Sequence, residues 1–221
     1  MESPHPYFPK DVVIPNYVPN EGSTLEILAK FGAITVVVVG GTYALAAKSK
    51  LGFSSIEKAK ICWLSACFFI HFFLEGYFSL NYDTFPEKQN FLARCWKEYS
   101  KGDSRYILKD TFTVCMETIT AFIDGPLCLI AVYAFLTNKP YRYIVQLIVS
   151  LCQLYGDILY LSTEAFEGFQ HGEIFHPIYF WFYFFFMNIL WIIIPFGCIV
   201  ESFHKLSKAQ STDDSMQKKK A

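Results

Sequence analysis

Five ionisable side chains fall inside stretches of sequence that are otherwise apolar, and their spacing decides what they can do together. His71 and Glu75 stand four residues apart, which places two side chains on one helical face within reach of each other. Glu117 is followed on the same stripe by Thr120 and Asp124, while Asp157 stands alone further on. In the last apolar stretch Asn188 and Trp191 are three apart and share a face. A charge near the middle of a membrane-spanning helix costs at least about 2.5 kcal/mol, so each of these groups invites a reason. Packing explains a lone histidine more simply than chemistry does. A histidine paired with a carboxylate and facing a second carboxylate on a neighbouring helix can instead hold, give and take a proton. Asp124 and Asp157 read as structural, hydrogen-bonded to nearby tyrosine, threonine or glutamine. The amide of Asn188 needs partners, and the π face of Trp191 attracts cations and can stabilise developing positive charge.

The elements that must position these groups follow from hydropathy. Of 221 residues, 53% are hydrophobic and 19% aromatic, and the mean hydropathy of +0.28 is high for a soluble chain of this length. Windows of about 20 apolar residues are needed to cross a bilayer as helix. Five are found, at residues 25–47, 61–82, 111–136, 143–162 and 178–200; the fourth is the weakest, because Gln146, Gln153 and Asp157 interrupt it. The predicted fold is an all-α membrane protein whose five transmembrane helices form one bundle around an intramembrane cavity. An interfacial segment, residues 1–24, precedes the five-helix domain, residues 25–204, and a cytosolic basic tail, residues 205–221, follows it.

The N-terminal stretch is proline-rich and lacks a basic region followed by an apolar core, so it does not read as a cleaved signal peptide. Its X-Pro steps favour extended chain, with Tyr7, Phe8 and Tyr17 expected to anchor it at the membrane interface. The longest connection, residues 83–110, lies outside the bilayer, and its Gly102-Asp103-Ser104 run reads as a turn able to cap a following helix. Lysine and arginine in the first and third short connections and in the tail mark the cytosolic side, although the basic residues of the 83–110 connection oppose this count. Lys218 and Lys219, at the fourth and third places from the end, have the pattern of a dilysine retrieval signal.

A net charge of −1 gives no electrostatic case for nucleic acid. Six of the seven cysteines lie in apolar runs, without a CxxC pair or a histidine-rich cluster, so no metal site is predicted. With no nucleotide or flavin fingerprint either, a histidine, two carboxylates, a threonine and an asparagine on an aromatic-walled cavity suit acid–base chemistry on a lipid-soluble substrate.

At these residues the sequence closely resembles the sterol Δ8-Δ7 isomerases, or emopamil-binding proteins, of the EXPERA membrane family. The resemblance is carried by HFFLEGYF (71–78), WKEYSKGDSRYIL (96–108), TFTVCMETITA (111–121), LYGDILY (154–160), GFQHGEIFHP (168–177) and the aromatic run ending in Trp191. It implies residence in the endoplasmic reticulum membrane, no cofactor, and conversion of Δ8-sterols to Δ7-sterols in cholesterol synthesis. Implied partners are the Δ8-sterol substrate, cationic amphiphilic amines and membrane lipid, with assembly as a homodimer or with other sterol-synthesis enzymes. The family's polar site corresponds to His71, Glu75 and Glu117 as catalytic groups and Thr120, Asn188 and Trp191 as substrate-binding ones. Implied chemistry is protonation at C9, a cation at C8, and loss of a proton from C7. Donation is expected from the His71–Glu75 pair and acceptance at Glu117, with the reverse order open. Trp191 would stabilise the cation, and Asn188 and Thr120 would hold the carboxyl groups. The rival expectation is a non-catalytic sterol- or drug-binding receptor of the same family.

Overall fold

The computed structural model describes residues 5–220. The first four residues of the expected interfacial segment, and Ala221 at the end of the dilysine pattern, lie outside the described residues. Among the described residues the chain is all helical, and five helices are long and apolar enough to cross a membrane: α1 (Thr24–Lys48), α2 (Ser55–Asn81), α4 (Thr111–Leu136), α5 (Arg142–Phe166) and α6 (Pro177–Lys218). The protein is thus a multi-pass membrane protein. Side chains that precede the helices fix their starts. Ser23 caps α1; Ser54 and Glu57 form a reciprocal capping box on α2; Asp110 accepts from the Thr113 N–H at the start of α4. The basic tail expected from residue 205 onward continues α6 as exposed helix to Lys218.

The bundle is held by packing of α5 on α6, α1 on α2, and α2 on α4. Where α2 crosses α4 the two backbones come close, and a Cβ on Gly125 would sit 3.2 Å from the Phe72 backbone nitrogen and Cβ. A glycine lets the helices approach this far without crowding the Phe72 backbone.

The connection between α2 and α4 is a packed cap. It contains the short helix α3 (Phe91–Tyr99), capped by Asn90. The indole of Trp96 donates to the Leu74 carbonyl at 2.8 Å and so ties α3 to α2. Tyr7, expected at the membrane interface, is 1% exposed and donates its hydroxyl to the Lys97 carbonyl at 3.0 Å. The N-terminal segment therefore packs under α3 through this ring, which the bulk of a buried tyrosine with a satisfied hydroxyl explains. The Gly102-Asp103-Ser104 run is a turn, but no helix follows it at once. Asp103 accepts from the Arg105 N–H at 2.9 Å, pairs with the Arg105 guanidinium at 2.6 Å and takes the Tyr160 hydroxyl at 2.5 Å, which locks the cap onto α5.

Candidate active site

His71 and Glu75 lie on a π-helical turn of α2, Ile70–Glu75, and a matching π turn of α4, Thr120–Asp124, follows Glu117. Such turns re-aim side chains and recur at functional sites. The crossing of α2 and α4 at these turns brings the groups together. Nδ1 of His71 lies 2.9 and 2.8 Å from the two oxygens of Glu75. Glu75 and Glu117, on the crossing helices, both face the same cavity. The Tyr106 hydroxyl donates to Oε1 of Glu117 at 2.5 Å. On the far side of the imidazole, Nε2 faces the Gln153 amide nitrogen at 3.0 Å and the Trp191 indole N–H at 3.4 Å.

All six site residues read from the sequence line one cavity of about 390 Å³, whose walls are mostly apolar and aromatic. That volume falls in the ordinary range for a small-molecule site. His71, Glu75 and Trp191 form one contiguous constellation, and Glu117, held by Tyr106, faces the same cavity. Thr120 and Asn188 stand on the cavity wall but do not hold the carboxyl groups. Thr120 Oγ1 donates back to the Met116 carbonyl at 2.8 Å, and the Asn188 amide donates to the Phe184 carbonyl at 2.6 Å and to the Tyr99 hydroxyl at 3.2 Å. The groups that do engage the carboxyls are His71 and Tyr106. The Trp191 ring sits 5.0 Å from Trp63 and 6.1 Å from His71.

Sequence reading missed Tyr99, Tyr106 and Gln153. The two tyrosines belong to a connection that hydropathy assigns to water, and Gln153 registers there only as a weakness of the fourth span. A signal for Gln153 existed: with Gln146, Ser150, Asp157, Tyr160 and Glu164 it forms a buried polar stripe at three- and four-residue spacing along α5. Asp124 and Asp157, read as hydrogen-bonded structural groups, make no hydrogen bond among the described residues; Oδ1 of Asp124 and Oδ2 of Asp157 are buried without a partner.

Five spanning helices that enclose an apolar cavity, with two carboxyls and a histidine lining it, define a membrane protein equipped to bind a lipid-soluble molecule beside acid–base groups. The chain belongs to the EXPERA (EXPanded EBP superfamily) family, whose profile matches residues 91–202. It is 47% identical over 212 residues to the Mus musculus protein named 3-beta-hydroxysteroid-Delta(8),Delta(7)-isomerase, an alignment covering 96% of this chain and 92% of that one. An Arabidopsis thaliana protein named as a probable isomerase of the same type is 37% identical over 88% of this chain and 85% of its own length. A protoglabretal synthase of Ailanthus altissima is 35% identical over 98% of this chain and 99% of its own.

Proposed function

We propose that this protein is a 3β-hydroxysteroid Δ8,Δ7-isomerase. The observation that carries the reading is a pair of carboxyl groups, Glu75 bound by His71 and Glu117 by Tyr106, that line one apolar cavity walled by Trp191. Shifting a ring double bond by one position requires one proton given and one taken, and two facing carboxyls supply both functions without a redox group. The named relatives support the same reaction.

Hydrogen-bond directions favour one division of labour. An indole N–H can only donate, so the Trp191 contact makes Nε2 of His71 an acceptor and leaves the ring proton on Nδ1. Nδ1–H then donates to Glu75, which stands as the carboxylate. The other carboxyl group, Glu117, is held by the Tyr106 hydroxyl and takes the donor's part. This reverses the order expected from the sequence. Glu117 gives its proton to C9, the electron pair of the C8=C9 bond forms the new C–H bond, and C8 becomes the cation. Glu75 removes a proton from C7, and the electrons of that C–H bond form C7=C8. The π face of Trp191 offsets the transient positive charge.

Operation in cholesterol synthesis, binding of hydrophobic amines, residence in the endoplasmic reticulum with a cytosolic C-terminus, and assembly as a homodimer or with other sterol-synthesis enzymes belong to the same reading. A protonated amine placed at C8 mimics the cation and binds for that reason. The deciding experiment is conversion of a Δ8-sterol to its Δ7 isomer by the purified protein with no added cofactor. Tight binding without turnover would instead favour the receptor reading.

A further inference from the structure

A structural Asp157 should have a hydrogen-bond partner, and it has none. Neither of its oxygens makes a hydrogen bond or an ion pair among the described residues, and Oδ2 is buried and unpartnered. Yet Asp157 is 9% exposed and lines the cavity. Its neighbours on the polar stripe of α5 each make a side-chain hydrogen bond: the Gln153 amide nitrogen with His71, Tyr160 with Asp103, Glu164 with His171. A carboxyl group without a donor in an apolar slab is among the most costly arrangements a membrane protein can hold. The missing donor is therefore sought in the cavity. Gly156, also on the cavity wall, adds no side chain there, and a Cβ on it would meet nothing within 4 Å. One helical turn back, about 6 Å along the axis, Gln153 touches His71. Asp157 thus stands apart from the reacting carboxyls yet on the same chamber.

A 3β-hydroxysteroid is an apolar ring system with one hydroxyl at the ring-A end, well away from the double bond that moves. We propose that Asp157 accepts a hydrogen bond from this hydroxyl and so fixes which ring bond lies against Glu75 and Glu117. Asp157 is a specificity-determining residue in this role, and the inference rests on the isomerase reading. Asp124, the other unpartnered carboxylate, is less suited: it is 3% exposed and sits at the π turn of α4, close to the reaction centre rather than away from it.

The test compares a 3β-hydroxy Δ8-sterol, its 3-deoxy counterpart and a cationic amine on the full-length protein and on Asp157→Leu and Asp157→Asn, reading both binding affinity and turnover. The wild type should prefer the hydroxysterol over the deoxysterol by roughly 10- to 100-fold, the scale of leaving a buried acceptor unpaired. In Asp157→Leu the hydroxysterol should fall to the level of the deoxysterol. Asp157→Asn, whose amide oxygen still accepts, should keep part of the preference. Removal of an unpaired buried carboxyl is not expected to unfold the bundle, and retained binding of the deoxysterol checks this. Discrimination that survives in Asp157→Leu, equal loss of both sterols, or a wild type indifferent to the hydroxyl each overturns the proposal. Loss of amine affinity in place of hydroxyl discrimination also overturns it, by making Asp157 a counter-ion. A wild type that discriminates in binding but turns over neither sterol would defeat the isomerase reading and leave the hydroxyl site standing.

Discussion

Tyr106, on the extramembrane cap, donates its hydroxyl to Oε1 of Glu117 on α4 at 2.5 Å, so a group from outside the spans sets the state of a carboxyl inside them. The ring that carries this hydroxyl is buried among Phe78, Trp96 and Tyr99, with centroids 5.2, 4.7 and 5.3 Å away. Its position is fixed by packing. Tyr106→Phe keeps that packing and deletes the donor, leaving a Glu117 oxygen unpaired in an apolar site. Turnover should fall by roughly 10- to 100-fold with little change in KM, since the bond acts on the proton donor and not on the sterol. Steady-state kinetics on Tyr106→Phe measure this; a higher KM at unchanged kcat would reduce Tyr106 to a wall of the pocket.

Glu75→Gln and Glu117→Gln keep shape while removing the ability to cycle a proton. Each should lower the chemical step by about 100-fold or more while the protein still folds. The two should differ in a telling way. Glu75→Gln removes the carboxylate that accepts from His71 and counters a bound cation, so it should weaken amine binding more than Glu117→Gln does. Equal amine affinity in the two variants would contradict the division of roles, and near-normal turnover in both would remove the acid–base assignment.

Trp191 offers both a π face and an N–H, and two substitutions separate them. Trp191→Leu removes both, so turnover and affinity for cationic amines should fall together; the π contribution at a desolvated site is about 2 kcal/mol. Trp191→Phe retains a π face without the donor to His71 and should keep most amine affinity while losing part of the rate. Binding of a neutral sterol analogue should change little in either. If amine and neutral ligand weaken equally in Trp191→Leu, the ring only fills space.

Outside the spans, His171 carries a pH dependence of stability. Burial works against its imidazolium, but the hydrogen bond to Glu164 at 2.7 Å and the charges of Glu164, Asp103 and Glu167 outweigh it and hold its pKa above the ordinary value of 6.5. Arg105, 3.4 Å from Glu164, is the cation that shares this cluster. For a raised histidine the stabilisation is complete below the unfolded pKa and is lost as pH rises through the folded one. The unfolding temperature should therefore drop as pH rises above about 6.5 and through the raised folded-state pKa, and His171→Gln should flatten that slope. An identical slope in the variant would assign the effect to other groups.

How much of this was legible in the sequence depends on the kind of signal. The third span, 111–136, coincides with Thr111–Leu136 because Asp110 caps it sharply and Thr137 ends its apolar run. The second starts six residues before its apolar window, since Ser54 and Glu57 cap a polar first turn that hydropathy does not register. The fifth runs on to Lys218, because nothing in its polar extension breaks a helix. His71, Glu75 and Glu117 were readable as charges out of place, since membrane insertion penalises each of them. Tyr106 and Gln153 were not, because a tyrosine in a charged connection and a glutamine in a span are individually unremarked. Only the fold of the cap over the bundle brings Tyr106 to Glu117, and only helix packing brings Gln153 to His71.

The scheme makes a last demand on the proton itself. At rest Glu117 holds the proton that will reach C9, and the apolar cavity must let that site equilibrate with water between turnovers. In deuterated water, with enzyme in excess so that each site turns over once, the Δ7 product should carry one deuterium at C9, because the arriving proton comes from Glu117 and not from C7. Under repeated turnover the outcome adds information. After each cycle Glu75 holds the proton from C7, and its place on the same cavity as Glu117 offers a return path that competes with exchange. Deuterium per molecule should then fall below the single-turnover value if return is faster than exchange, and Tyr106→Phe, which loosens Glu117, should shift that ratio. Mass spectrometry of the product reads both quantities. Single-turnover product without deuterium would mean one shielded group carries the proton from C7 to C9, and the two-carboxyl mechanism would have to be given up.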